Sequence, residues 1–210
     1  MDNGYYILKD SEKTGPFTFA ELNQLDIDVH SSIMSPSAGT WQDACDLEEL
    51  YPYFEARGIY LPTGDNLASF WWRLLAFVID YTILCFLVSV FFILAMQFGF
   101  KVNMPTVDEM LKYPLIQRLK IIAVGYLVLI IYNSLGEASP MEGSFGKRVC
   151  KLVVVDIDGF GLSYPKALLR SVGKVISILI NGIGFLSIFW SEHKQALHDF
   201  LAKTYVVKRS

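Results

Sequence analysis

The stretch from Phe70 to Phe98 is apolar almost throughout, and its YTILCFLVSVFFILAM portion, residues 81–96, carries no charge. A helix needs about 20 residues to cross a hydrocarbon core of about 30 Å, so this segment is long enough to span with some tilt. Trp71 and Trp72 stand at its start, where the amphipathic indole prefers the headgroup level. A chain that must bury such a segment folds in lipid. The composition agrees: 53% of residues are hydrophobic and only 19% are charged, an apolar share above that of ordinary soluble domains.

A second span is predicted at IIAVGYLVLIIYNSL, residues 121–135, which reaches spanning length by taking in Leu115 to Lys120, where Arg118 and Lys120 can snorkel. Between the spans, KVNMPTVDEMLKYP is a polar connection punctuated by Pro105 and Pro114. A third apolar segment, VISILINGIGFLSIFW at 175–190, is interrupted by Asn181-Gly182-Ile183-Gly184, residues that favour a break or a close helix contact. Ser163 and Pro165 give start signals for a helix leading into it. This segment either crosses or dips in and returns. Return is the preferred reading, because the terminal KTYVVKRS is a charged strand suited to pair with residues 149–155. The β-branched run at 152–155 also reads as a strand entering a tight hairpin turn at Asp158-Gly159. Lys147, Arg148, Lys151, Lys166, Arg170 and Lys174 mark this face as cytoplasmic by the positive-inside rule, although Lys101, Lys112, Arg118 and Lys120 sit on the opposite connection.

The first 60 residues read differently. Tyr5 to Leu8 form a strand, Lys9-Asp10-Ser11-Glu12 a polar turn, and Gly15-Pro16-Phe17 restarts the chain as a hairpin. Thr18 precedes Glu21 by three residues, the capping-box spacing, so a short helix is predicted from about 19 to 25. Ile33-Met34 suggests a small strand, Gly39-Thr40-Trp41 a turn, and Leu47 to Leu50 a final helical turn. Through GYY at 4–6, GPF at 15–17, AEL at 20–22, Trp41 and LEEL at 47–50, this segment resembles the bacterial GYF-like domain. GYF domains present an aromatic surface to proline-rich peptides, so the resemblance implies peptide-binding roles for Tyr5, Tyr6, Phe17 and Trp41. A domain this small also needs aromatics for its core, which is the competing use of each. The WxY opening of eukaryotic peptide-binding members is absent, so the resemblance implies a binding module without fixing its ligand class.

A net charge of −3 gives no basic footprint for nucleic acid. Cys45, Cys85 and Cys150 are odd in number and scattered, which indicates neither a disulfide framework nor a zinc site. The opening MDNGYYILKD lacks the charged and apolar regions of a secretory signal, so none is expected to be removed. His193 and His198 are five residues apart, off the spacing of a helical metal pair, and no phosphate loop, dinucleotide fingerprint or nucleophile elbow is present. No metal, cofactor or enzymatic activity is therefore expected.

Arg73 and Asp80 are seven residues apart on the first span, two helical turns, and so share a face. Counted from Phe70 at the interface, Asp80 lies roughly 15 Å deep, where it must find a partner or water. FWWRLLAFVID at 70–80, SFGKRVCKLVVVDIDG at 144–159, ALLRS at 167–171 and ALHDFLAKTYVV at 196–207 together resemble the RDD family, named for one Arg and two Asp. Carried over by position, these are Arg73, Asp80 and Asp199, with Arg170 and His198 as charge partners. Two roles follow for them. In one, Asp80 is an ion or proton site whose charge Arg73 or Arg170 tunes, with His198-Asp199 gating cytoplasmic access. Alternatively they form a structural clasp in which Arg73 bonds Asp199 and Asp80 pairs with Arg170 or a polar neighbour.

The sequence thus predicts a small α+β soluble domain (1–60), a linker (61–68) and an α-helical RDD membrane module (69–210). The module has two transmembrane helices, a third apolar segment read as re-entrant, and a small cytoplasmic β element. The expected protein is a multi-pass bacterial inner-membrane protein with a cytoplasmic N-terminus. Its partners are the lipid bilayer and a cytoplasmic protein or peptide recruited by residues 1–60. The alternative is a small antiporter-like cation or proton transporter using Asp80 with Arg73 and Asp199, which would require a homo-oligomer.

Overall fold

A computed structural model describes residues 4–9, 12–100 and 105–209. The turn expected at Asp10-Ser11 and the connection residue Lys101 lie outside the described residues. The chain forms two compact units, residues 1–61 with 157–160, and residues 62–156 with 161–210.

The first unit opens with strands β1 (Tyr5–Lys9) and β2 (Glu12–Phe17), paired antiparallel with Leu8 opposite Lys13. Helix α1 (Phe19–Leu22) starts at the predicted capping box: Thr18 Oγ1 accepts from the Glu21 amide, and the Glu21 carboxylate accepts from the Thr18 amide. It ends three residues earlier than predicted for a physical reason. The Tyr53 hydroxyl accepts from the Ile27 amide at 2.9 Å and donates to the Leu25 carbonyl at 2.8 Å, and Arg57 donates to the Asn23 carbonyl at 2.9 Å. The backbone groups that would extend α1 are thus engaged elsewhere. Strands β3 (Ser32–Met34) and β4 (Trp41–Asp43) complete a sheet of order β2-β1-β3-β4. The predicted turn at Leu47–Leu50 is a 3-10 turn that continues into α2 (Tyr51–Ala56), with Pro52 in its first turn where no amide is needed. Leu22, Ile33, Leu50 and Phe54 are fully buried at the centre of the core.

In the second unit, α3 (Phe70–Gln97) and α5 (Leu115–Glu137) are long and apolar enough to cross a membrane. Between them α4 (Val107–Lys112) begins at a Thr106/Glu109 capping box. After α5 come α6 (Phe145–Val149), β5 (Leu152–Val155) and α7 (Tyr164–Leu179), the last starting after Ser163 with Pro165 in its first turn. The third apolar segment is broken, since α7 and the helical stretch that begins with α8 (Ile183–Leu186) meet at 112°. Asn181 and Gly182 take left-handed φ of 56° and 80° at the corner, which accounts for the Asn-Gly pair there. Helix α9 (Leu197–Ala202) and β6 (Tyr205–Lys208) close the chain.

Strand β5 makes one bridge across the turn at Asp158-Gly159, Val155 to Gly161, but its ladder partner is β6, with Val153 opposite Val207. The local hairpin is therefore minor, and the terminal strand supplies the pairing. The β6 backbone also bonds the entry to α3, through the Ala68 amide to the Val206 carbonyl and the Lys208 amide to the Asn66 carbonyl. On the other side of the ladder, the Val154 amide reaches the Glu142 carbonyl in the segment leaving α5. The start of α3, the exit from α5, β5 and β6 thus meet at one end of the helix pair. Because β5 precedes the third apolar segment and β6 follows it, residues 164–190 leave this end and return to it.

Candidate functional site

A buried charge network gathers at that end. Asp199, fully buried in the first turn of α9, accepts from the Ala196 amide at 3.0 Å, from Arg73 Nη1, and from Arg170 Nη2 and Nε, the last at 2.9 Å. Arg73 spends its remaining donors on the Lys194 carbonyl at 2.7 Å and the Ala68 carbonyl at 3.1 Å. Arg170, on α7 and 1% exposed, also donates from Nη1 to Glu137 Oε1 at 2.6 Å. Glu137 closes α5 and is fully buried; the same oxygen takes the Nζ atoms of Lys147 and Lys174, and Lys174 reaches Asn133 Oδ1 at 3.0 Å. Five elements are tied through two carboxylates. The other oxygen of Glu137, Oε2, is buried with no hydrogen-bond partner among the described residues, so the network is held by its charge pairs without full satisfaction of its lone pairs.

Electrostatics follow from this arrangement. Burial pushes the Asp199 carboxyl up, but Arg170, His198 and Arg73 outweigh it and hold the group well below the usual carboxylate range. Burial lowers Lys147 well below the ordinary ammonium range despite the opposing pull of Glu137. His198 is 4% exposed with its ring against Phe185, and burial, opposed by Asp199, brings it down to about 3. His193 does not join it, lying instead edge-on to Tyr205 at 5.9 Å.

Asp80 is separate from this network. It accepts from the Tyr132 hydroxyl at 2.6 Å, the Gly146 amide at 2.7 Å and the Ser144 hydroxyl. Its partners are therefore polar neighbours and not Arg73 or Arg170. Gly146 permits the approach, since a Cβ there would run into the Ala76 carbonyl and the Asp80 carboxylate. The 28 residues of α3 extend about 42 Å, about 12 Å beyond a hydrocarbon core. Its first turns pack against α6, which carries Lys147 and Arg148.

Glu137, Tyr132 and Ser144 were not singled out by the sequence reading. Glu137 had a signal, an acid closing an apolar span with cations still to come at 147, 170 and 174. In the first unit, Tyr6 is buried with the Lys13 ammonium 3.7 Å from its ring centroid, Tyr5 and Phe17 are half-buried against the core, and Trp41 is 40% exposed. The Tyr5 hydroxyl is pushed up to about 12 by burial and by Glu49. Among the described residues, His30, Asp43 and Cys45 bring donor atoms within 4.8 Å of one another, with His30 and Asp43 exposed.

Residues 67–203 match the model of the RDD family, and residues 5–50 match that of GYF domain 2. The chain is 32% identical over 151 residues to "Uncharacterized protein YxaI" of Bacillus subtilis (strain 168), a match covering 68% of this chain and 98% of the relative. No solved structure matches.

Proposed function

Because the chain belongs to the RDD family, we propose that it is a membrane-anchored interaction protein, in which the RDD module is a static mount and the GYF-like unit binds a cytoplasmic protein or peptide. The observation that carries this reading is the fastening of Asp199 between Arg73 and Arg170. It joins the first span, α7 and the C-terminal helix, as a clasp would. The cation-transport alternative needs a carboxylate free to exchange ligands, whereas Asp80 and Asp199 each accept several protein donors. Of Tyr5, Tyr6, Phe17 and Trp41, Trp41 on β4 is the most exposed to meet a peptide.

The test is reconstitution of the full chain into liposomes with an imposed pH gradient, wild type beside Asp80→Asn. The anchoring reading expects no sodium or potassium flux from either, with lower abundance of the variant. Flux from wild type that disappears in a folded Asp80→Asn protein would replace it with transport. A photo-crosslinker at Trp41 should capture a cytoplasmic partner in cells.

A further inference from the structure

Beside the charge network lies a cavity of about 360 Å³, within the second unit and within the range of small-ligand sites. Its two ends differ. Most of its wall is apolar, with Leu74 and Phe77 from α3, Leu129 from α5 and Ile178 from α7. Leu74 and Phe77 are 38% and 54% exposed, so the wall continues onto the outer surface of the helices, where acyl chains would lie. At the other end the lining includes Arg73, Lys147, Arg170 and Lys174.

The nitrogen donors face the cavity while two acids stand behind them. Glu137 and Asp199, which hold these four side chains, have no exposure, and Asp80 on the same wall accepts from Tyr132, Ser144 and Gly146. Lys147 bonds one carboxylate oxygen and Lys174 one carboxylate and one amide oxygen, so each ammonium group keeps a donor that an anion in the cavity can take. Two further groups on this wall, the Ser171 hydroxyl and His198 Nδ1, are buried and have no hydrogen-bond partner among the described residues. The hydroxyl can donate to a phosphate oxygen, and a neutral imidazole whose Nε2 faces Asp199 at 3.4 Å offers Nδ1 as an acceptor.

The direction of the cavity supplies the last constraint. Arg73 is in the first turn of α3 and Lys147 and Lys174 cluster on the last residue of α5, whereas Leu129 is two turns, about 12 Å, back along α5 from Glu137. The cavity is thus cationic at the ends of the spans and apolar toward their middle, the polarity of a lipid standing in one leaflet. We propose that it binds one anionic glycerophospholipid, its phosphate at Lys174, Lys147 and Ser171 and an acyl chain along Leu74, Phe77 and Leu129. This site does not depend on the anchoring reading.

The test uses the full chain purified in detergent and measures its affinity for phosphatidylglycerol and for phosphatidylcholine of the same acyl chains by native mass spectrometry, with thermal shifts in parallel. Phosphatidylglycerol should be retained in preference, and should raise Tm where glycerol phosphate at the same concentration does not. Lys174→Gln should weaken that retention about fivefold or more, as expected for one cation at an anionic headgroup, and Lys174→Arg should keep it. Leu129→Trp fills the apolar end without touching a charge, and should abolish retention while leaving Tm in plain detergent near wild type. Equal retention of phosphatidylcholine, stabilisation by glycerol phosphate alone, or unchanged retention in Leu129→Trp would each overturn the proposal.

Discussion

Asp199 and Asp80 are both acids of the second unit, yet their surroundings predict different costs of neutralisation. Asp199→Asn leaves Arg73 and Arg170 buried against a neutral amide, whose NH2 opposes one guanidinium. Removing one partner of a buried ion pair costs about 3–5 kcal/mol. Asp80→Asn disturbs two hydroxyl donors that can rotate and one amide, for which about 1–3 kcal/mol is expected. Thermal unfolding in detergent should therefore rank Asp199→Asn well below Asp80→Asn, and an inverted order would contradict the clasp. His198 predicts the acid limb. Its pKa falls from 6.5 to about 3 on folding, so below pH 6.5 the unfolded chain binds a proton that the native chain does not. Stability is complete above that pH and is lost as pH falls toward 3, at about 1.4 kcal/mol per pH unit for one proton. Between pH 6 and 4.5, where Asp199 remains ionised in both states, Tm should fall in wild type and stay flatter in His198→Gln.

Among the elements, α6 meets α3 at Gly146, where an added Cβ would come nearer to a neighbour than at the other glycines of this unit. Gly146→Ala would push a methyl into the Ala76 carbonyl and displace the amide that Asp80 accepts. Overpacking of this kind costs about 1–3 kcal/mol, so Tm should drop by a similar margin to Asp80→Asn, and the double variant should cost less than the sum because both remove one interaction. What could be read in advance divides by the same logic. The capping box at Thr18 and Glu21, the Asn181-Gly182 break and the two spans are written in neighbouring residues, and they stand where the sequence put them. The end of α1 was not legible, because it is set by Tyr53 and Arg57, 28 and 34 residues from the carbonyls they engage. Arg73 and Asp80 share a helix face, but their partners come from α9 and from α5 with α6. Periodicity identified the face and gave no means of pairing it. Glu137 was marked in the sequence only as an acid closing a span; its partners emerge once α6 and α7 are folded back onto α5 and bring Lys147, Arg170 and Lys174 to one oxygen.

At the scale of the whole chain, the two-stranded sheet bears on how many times the membrane is crossed. Segment 164–190 is apolar enough, with its bend, to be counted as a third span by composition, which would put β6 across the bilayer from β5. The pairs Leu152 to Lys208 and Val155 to Tyr205 are incompatible with that separation. The pairing thus favours a bent segment that returns to the face it left, with Leu179, Ile183, Phe189 and Trp190 exposed to meet the headgroup boundary. Single cysteines distinguish the arrangements in a background with Cys45, Cys85 and Cys150 replaced. Pro140→Cys, in the segment leaving α5, and Lys208→Cys, on β6, should react with an impermeant maleimide from the same side of sealed vesicles. Asp108→Cys, on α4 between the spans, should react only from the other. If Lys208→Cys instead labels with Asp108→Cys, the third segment crosses and the sheet cannot form as described. Should all three agree with two crossings, the clasp at Asp199 and the β5–β6 ladder lie on one face, and loss of either should release the same C-terminal segment to added protease.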